Sequence, residues 1–303
     1  MRNYEAVATL LTLPDSVECV AGTRQISAPP VVPYAVSRCN FLTVLGQTLL
    51  DAARSKTITD VAAFGFWCRK ANLERFEQRF SHYESRLGLG LAFHATPANV
   101  PTNFIYSFAF SFLAGNSNVV RLPKSGFESV QIICSVINDV LEDKEFSVLK
   151  DSMAFIRYEK DEKMDAFFSL RCSARLIWGG DETIRRFRSL ETTPRCVDLT
   201  FADRYSMCVL SSGAVAVLKN HELTSLAERF VNDSYTLNQE ACSSPHLIMW
   251  FGVGQLEARG RFWNAVLAVA SERYNLSPMM AVNKYMDLCC DAASGELNIK
   301  SVD

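Results

Sequence analysis

The sequence predicts an α/β protein built as two lobes, and three observations carry that reading. The chain has 303 residues, more than one core usually organises when domains cluster near ~100–150 residues. Its composition, 49% hydrophobic and 21% charged, is that of a globular chain with a core to bury, not of a disordered or collagen-like one. From Gly88 onward, short apolar runs alternate with helical patterns, which argues for a parallel sheet with helices on both faces.

The first eighty residues open with a strand-and-turn stretch containing Pro29, Pro30 and Pro33. Two amphipathic helices follow, from about Phe41 to Arg54 and from Thr59 to Phe80, because apolar residues such as Val61, Phe64, Trp67, Leu73 and Phe76 return every three or four positions. Residues 1–84 are therefore read as a helical region that packs on the next domain. Over 85–197 the runs GLGLAFH, NSNVVRLP, SMAFIRY and ARLIW read as strands. They are separated by helices from Pro101 to Leu113, Phe127 to Leu141 and Glu162 to Leu170, with a last helix from Asp181 to Leu190. The run FIYSFAFSFLAG at 104–115 is short of the ~18 apolar residues of a membrane span and reads as a buried helix. In the second lobe, 198–303, MCVLSS and AVAVL read as strands and His221 to Tyr235 as a helix. LNQEACSSP is a polar loop, LIMWF a strand, and Leu256 to Tyr274 a helix.

Charge and cysteine usage narrow the class. Thirty-one Lys and Arg against 33 Asp and Glu give a net charge of −2, without the basic excess that a phosphate-backbone binder requires, so nucleic acid is excluded as an expected partner. The ten cysteines are scattered, several in apolar runs such as those around Cys134 and Cys208, which suits reduced thiols in a cytoplasmic protein. Glu5 interrupts what would be a signal core, so no export signal is expected. Cys242, His246 and the Cys289-Cys290 pair lack zinc-ligand spacing, so no metal is expected either.

Four places could carry chemistry. Cys242 lies in the small, polar run Asn238 to Pro245, the kind of setting where a thiol is reachable and can be activated; on spacing alone, an inert loop residue is the commoner reading. His246 follows four residues on, but if 245–251 is a strand the two side chains lie ~13 Å apart along it, so His246 reads as a strand-end residue. Asn99, within His94 to Pro101, follows the first parallel strand. It can face a ligand at the strand's carboxyl end or cap the helix that Pro101 opens, and both stay open. Gly179 and Gly180 join a strand to a helix, where glycines admit a phosphate to a helix N-terminus, though without a full GxGxxG pattern. Arg121 and Lys124 follow the strand NVV without an intervening carboxylate. That favours a cofactor bearing a 2′-phosphate, solvated surface charge being the alternative.

Taken in order, ATPANVP at 95–101, LAGNSNVVRLP at 113–123, WGGDETI at 178–184, VDLTFADRYS at 197–206 and NQEACSSP at 238–245 resemble the acyl-CoA reductase family typified by LuxC, within the aldehyde dehydrogenase superfamily. The resemblance implies an aldehyde-dehydrogenase-like α/β fold, with a doubly wound NAD(P)-binding domain over 85–197 and an incomplete catalytic domain over 198–303. It implies reduction of fatty acyl-CoA, or an acyl-protein thioester, to fatty aldehyde with NADPH. Cys242 is then the nucleophile and Asn99 the oxyanion donor, while Thr96, Pro97, Gly179, Gly180, Arg121 and Lys124 line the cofactor. An acyl-protein synthetase subunit and further copies of the chain are the partners the resemblance suggests.

Two departures shape the expectation. Aldehyde-oxidising relatives carry a water-activating Glu in a Glu-Leu-Gly-Gly motif, whereas here the comparable stretch is Leu199-Thr200-Phe201-Ala202-Asp203. Without that base, hydrolysis of an acyl-enzyme should be slow. Asp181 stands near the expected pyrophosphate, which is unfavourable unless it turns away to cap its helix. The chain also ends soon after Cys242, where family members continue for roughly a further lobe, so a truncated product is expected. An NAD(P)-dependent aldehyde dehydrogenase and a non-catalytic reductase-like scaffold subunit are the alternatives.

Overall fold

The computed structural model describes residues 11–293 apart from 57, 81–84, 98–100, 124–125, 160, 203, 236–238, 240, 275 and 277. The chain divides into two compact units, Met1–Asp203 and Arg204–Asp303.

In the first unit the strands are β1 (Leu11–Thr12), β2 (Glu18–Gly22), β3 (Gln25–Ile26), β4 (Leu91–Ala95), β5 (Ser117–Arg121), β6 (Met153–Arg157), β7 (Ala174–Trp178) and β8 (Val197–Phe201). β1 and β3 form a small antiparallel pair, and the rest make one sheet of order β2-β6-β5-β4-β7-β8. Only β2 runs antiparallel, on β6; β4 to β8 are parallel. Chain order thus runs outward from β4 to β6 on one side and then resumes at β7 on the other. This reversal leaves a crevice at the carboxyl ends of β4 and β7, the place where open α/β sheets receive ligands.

Both faces of this sheet are covered, because successive side chains of a strand point to opposite sides. On β6, Met153 and Phe155 enter one core with α1 (Val36–Lys56), α2 (Thr59–Trp67), α3 (Lys70–Gln78), α4 (Asn103–Leu113) and α5 (Glu128–Leu141). Ala154 and Ile156 enter the opposite core with α6 (Glu162–Ser169) and α7 (Asp181–Ser189). The apolar run at 104–115 is the buried α4, with Phe104, Phe108 and Phe112 fully enclosed. Among the described residues no helix is long and apolar enough to cross a membrane.

Two buried arginines fasten this unit. Arg38 of α1 donates through Nη1 to the carbonyls of Phe112 and Asn116, both at 2.7 Å, and lies 4.5 Å from the Phe112 ring centre. A cation there meets the negative end of the α4 dipole. Burial lowers its pKa to about 10, which leaves it charged at neutral pH. Arg175 of β7 grips Asp198 of β8 as a two-pronged fork, with both bonds at 2.7 Å, and joins the two strands side by side.

The single helix expected from Thr59 to Phe80 is two helices, α2 and α3, broken at Arg69, whose backbone is extended at φ −57°, ψ 138°. Upstream of the break, α1 and α2 touch backbone to backbone: a Cβ on Gly46 would stand 2.5 Å from Cys68 Cβ and 2.9 Å from Gly65 O. The chain then turns so that Phe76 meets Trp67 and Phe110.

The second unit holds β9 (Ser206–Ser211), α8 (Ser212–Ala216), α9 (Asn220–Tyr235), β10 (Pro245–Phe251), α10 (Gln255–Arg273) and α11 (Pro278–Ala293). β9 and β10 pair in parallel, which requires a long crossover, and α9 lies within it. Cys208, Leu210, Ile248 and Trp250 pack from one face of the pair onto Leu223, Phe230, Phe262 and Val266. The other face presents Met207, Val209, Met249 and Phe251, each about half exposed. The AVAVL stretch, expected as a strand, begins as α8: the Ser211 hydroxyl accepts from Ala214 N at 3.3 Å, an N-cap, and Val215 is buried in the helical core.

Candidate functional site

The crevice is assembled from strand ends. Thr96 follows β4, and its hydroxyl donates to the Arg121 carbonyl at 2.5 Å, tying the ends of β4 and β5 together; Pro97 comes next. Asn99 and Lys124 lie outside the described residues. At the end of β7, Gly179 has φ +151°, a conformation side chains rarely adopt, and a Cβ there would press on Thr183 at 3.0–3.2 Å. Gly180 differs. Its φ of −64° suits any residue, yet among the described residues a Cβ would meet no atom within 4 Å. Gly180 is also the N-cap of α7, where no described side chain makes a capping bond. Among the described residues, open space therefore stands over the first-turn N–H groups of α7, which have no partner within their own helix, the arrangement that receives an anion. Asp181 does not cap the helix; it pairs with Arg185 one turn on at 3.6 Å, and with Glu182 it leaves negative charge beside that opening.

Arg121 stands at the end of β5 with neighbours that the sequence did not suggest. Its Nη1 lies 3.5 Å from Asp165 Oδ1, and its guanidinium carbon lies 4.8 Å from the Tyr158 ring centre. Asp165, fully buried on α6, also accepts from the Tyr158 hydroxyl at 2.6 Å and from Arg186 Nη1 at 2.8 Å. Burial, and then the Asp165 carboxylate, push the Tyr158 phenol well above its usual pKa. The carboxylate missing from the local sequence between Arg121 and Lys124 thus arrives from α6, and the two guanidiniums and one carboxylate leave the cluster net positive.

A second polar assembly runs behind the crevice. Trp178, the last residue of β7, donates its indole N–H to Ser107 Oγ at 3.1 Å and stacks on Phe201 with ring centres 4.0 Å apart. Ser107 Oγ lies 2.8 Å from His94 Nδ1, His94 Nε2 lies 3.0 Å from Asn118 Oδ1, and Asn118 Nδ2 donates to the Asn116 carbonyl at 2.8 Å. Burial drives the His94 pKa down to about 4, the Asn118 contact opposing the shift, so the ring is neutral at pH 7. Sequence reasoning noted His94 only as the start of a segment. Ser107 gives no signal amid an apolar helix.

In the second unit, Cys242 is exposed in a turn pinned at its carbonyl, which accepts from Ser206 Oγ at 2.6 Å. The Ser244 hydroxyl donates to the Asp233 carbonyl, and Gln239 is left-handed at φ 64° with its amide oxygen accepting from Lys284. Cys68, Cys134 and Cys172 are buried, and burial pushes the Cys134 thiol up to about 12. Cys289 and Cys290 on α11 share Cys242's exposure without its turn. His246 is exposed at the start of β10 and stacks on Tyr205, ring centres 5.3 Å apart. Among the described residues no cluster of three or more His, Cys, Asp or Glu could hold a metal ion.

A family profile described as acyl-CoA reductase (LuxC) matches residues 45–273. No curated protein sequence matches the chain. Solved structures of similar fold include an NAD-dependent benzaldehyde dehydrogenase from Corynebacterium glutamicum, with 12% identity and a TM-score of 0.56 over 88% of this chain and 68% of that one. A 1-pyrroline-5-carboxylate dehydrogenase from Thermus with bound NAD is similar at 12% identity and a TM-score of 0.56, over 88% of this chain and 60% of that one. A mutant of Proline Utilization A from Bradyrhizobium japonicum is similar at 12% identity and a TM-score of 0.56, over 77% of this chain and 25% of that one. The fold is aldehyde-dehydrogenase-like, and the chain spans 68% or less of the length of these structures.

Proposed function

The chain belongs to the acyl-CoA reductase (LuxC) family, and on that premise we propose that it is an oxidoreductase that converts fatty acyl thioesters to aldehydes with NADPH, through an acyl-enzyme on Cys242. The observation that carries the reading is that one family match, 45–273, takes in both the β4–β7 crevice and the exposed Cys242.

The crevice fits a dinucleotide. Among the described residues, the open space over Gly180 at the first turn of α7 suits a pyrophosphate, with Thr96, Pro97 and Gly179 beside it. The net positive Arg121 cluster, together with Lys124, suits a 2′-phosphate. When bound, the reduced nicotinamide supplies the hydride. Cys242 attacks the thioester carbonyl, forms a new thioester and releases coenzyme A. The Cys242 N–H meets the oxyanion that develops in that step, where a fixed donor lowers the barrier most; Asn99 is the second donor that the family resemblance implies. The stretch Leu199 to Asp203 lacks the Glu of the Glu-Leu-Gly-Gly motif that activates water in aldehyde-oxidising relatives, so on this reading hydrolysis of the acyl-enzyme is slow and reduction prevails.

The test is incubation with an acyl-CoA and NADPH. Aldehyde and free coenzyme A should form, with an acyl adduct on the Cys242 peptide by mass spectrometry. Cys242→Ser should lose the adduct and about a thousandfold or more of the turnover while binding NADPH as before. Faster oxidation of aldehyde to acid would transfer the reading to an NAD(P)-dependent aldehyde dehydrogenase. The further alternative is a reductase-like subunit that docks an acyl-protein synthetase; unchanged function in Cys242→Ser would select it.

A further inference from the structure

We propose that the buried hydrogen-bonded chain from Asn118 through His94 and Ser107 to the Trp178 indole is a positioning device for the Trp178-Gly179-Gly180 turn, and through it for the dinucleotide; the proposal rests on the cofactor reading above.

The chain has one direction. An indole N–H can only donate, so Ser107 Oγ accepts from Trp178 and its own proton points to His94 Nδ1. His94 then carries its hydrogen on Nε2 and donates to Asn118 Oδ1. The Asn118 amide hydrogens face the Asn116 carbonyl, which also holds Arg38. His94 and Asn118 are fully buried and Ser107 is 2% exposed, so water does not compete for these bonds. A satisfied polar chain in such surroundings has a single low-energy arrangement.

What the chain holds cannot hold itself. Gly179 and Gly180 have no side chains with which to anchor the turn, and glycine is the residue that loses most freedom on being fixed. The turn takes its position from α7 on one side and, on the other, from Trp178 and from the Gly179 N–H, which donates to the Phe201 carbonyl at 3.2 Å. Trp178 is restrained twice, at its indole N–H by Ser107 and across its ring by Phe201, with 10° between the planes. With the first restraint lost, the ring is held by its stack on Phe201 alone, and Phe201 is also the residue whose carbonyl holds the Gly179 N–H, so a change in the stack reaches the turn through it.

The experiment compares the parent with Ser107→Ala, Trp178→Phe and the double variant, using equilibrium binding of NADPH and tryptophan emission. Each single variant should weaken NADPH binding about five- to tenfold, the worth of one buried hydrogen bond. The double variant should lose no more than either single, as coupled partners do. The part of the emission that Trp178→Phe removes should move to longer wavelength in Ser107→Ala. Ser152→Ala, which deletes a buried hydroxyl bonded to the Leu149 carbonyl elsewhere in the unit, should lower stability and leave the affinity unchanged. If Ser107→Ala does not fold, Trp178→Phe, which keeps the stacked ring, decides the matter. Parent-like affinity in the folded single variants, or fully additive losses in the double variant, would overturn the positioning role and leave the cofactor reading standing. A parent chain that binds neither NADPH nor NADH would overturn both.

Discussion

The two parallel sheets of this protein are finished differently. In the first unit, every residue of β4 is buried and helices lie over both faces. In the second, the β9–β10 pair has one face on its helices, while Met207, Val209, Met249 and Phe251 stand about half exposed on the other. Parallel strands are normally covered on both sides, and a lone pair of strands is marginal. The first unit therefore carries its own rigidity to the crevice, and the second relies on one layer of helices to hold the turn that bears Cys242. Preorganisation is unequal across the molecule.

Core substitutions give the largest measure of that inequality. Phe155, fully enclosed between Phe104 and Phe108, is expected to cost about 3–5 kcal/mol on replacement by Ala, read as a fall in the urea midpoint. Phe251→Ser, on the exposed face of β10, should stay within about 0.5 kcal/mol and reduce self-association in light scattering. Comparable losses at the two positions would erase the contrast.

Acid sharpens it next. The His94 pKa falls to about 4 in the folded chain against ~6.5 for an unperturbed imidazole. Between these values the unfolded state binds the extra proton, so this contribution to stability is full above pH 6.5 and is lost as the pH falls toward 4. The loss is about 3 kcal/mol by linkage. Urea titrations at pH 7 and pH 4.5 should show it in the parent and show a smaller change in His94→Gln; equal slopes would remove His94 from the account.

The smallest expected effect lies at the rim of the crevice. Asp181→Asn removes a negative charge from the first turn of α7 and gives up only an exposed pair with Arg185. An anion at that helix end should bind about two- to threefold more tightly, the scale of a helix-dipole interaction. Calorimetry with NADPH would read it, and weaker binding would place the carboxylate among the groups that help the ligand.

What the sequence disclosed follows the same divide. The strands β4 to β7 coincide with runs dominated by apolar residues, because a strand covered on both faces buries most of its side chains; the buried His94, Asn118 and Arg175 are tolerated in them because each is hydrogen-bonded. The reversal of chain order at β4 left no local trace, since pairing between distant strands is not written in either strand alone. The stretch 59–80 keeps one helical rhythm in the sequence although the chain is extended at Arg69 and forms two helices, a turn that apolar spacing does not encode. A Ser cap turned AVAVL from strand to helix. The exposure of Cys242 was legible because its small, polar surroundings differ from those of the buried thiols. Asp165 and Ser107 were not, because their partners Arg121 and Trp178 come from other elements and meet them only after folding.

Arg38 carries a consequence of another kind. A buried cation held by a carboxylate can be stranded by a single mutation in its partner. Arg38 is held by carbonyls of Phe112 and Asn116, which every amino acid supplies. Its docking of α1 against the end of α4 is accordingly buffered against sequence drift: whatever side chain comes to stand at position 112 or 116, the carbonyl that receives the guanidinium is still there.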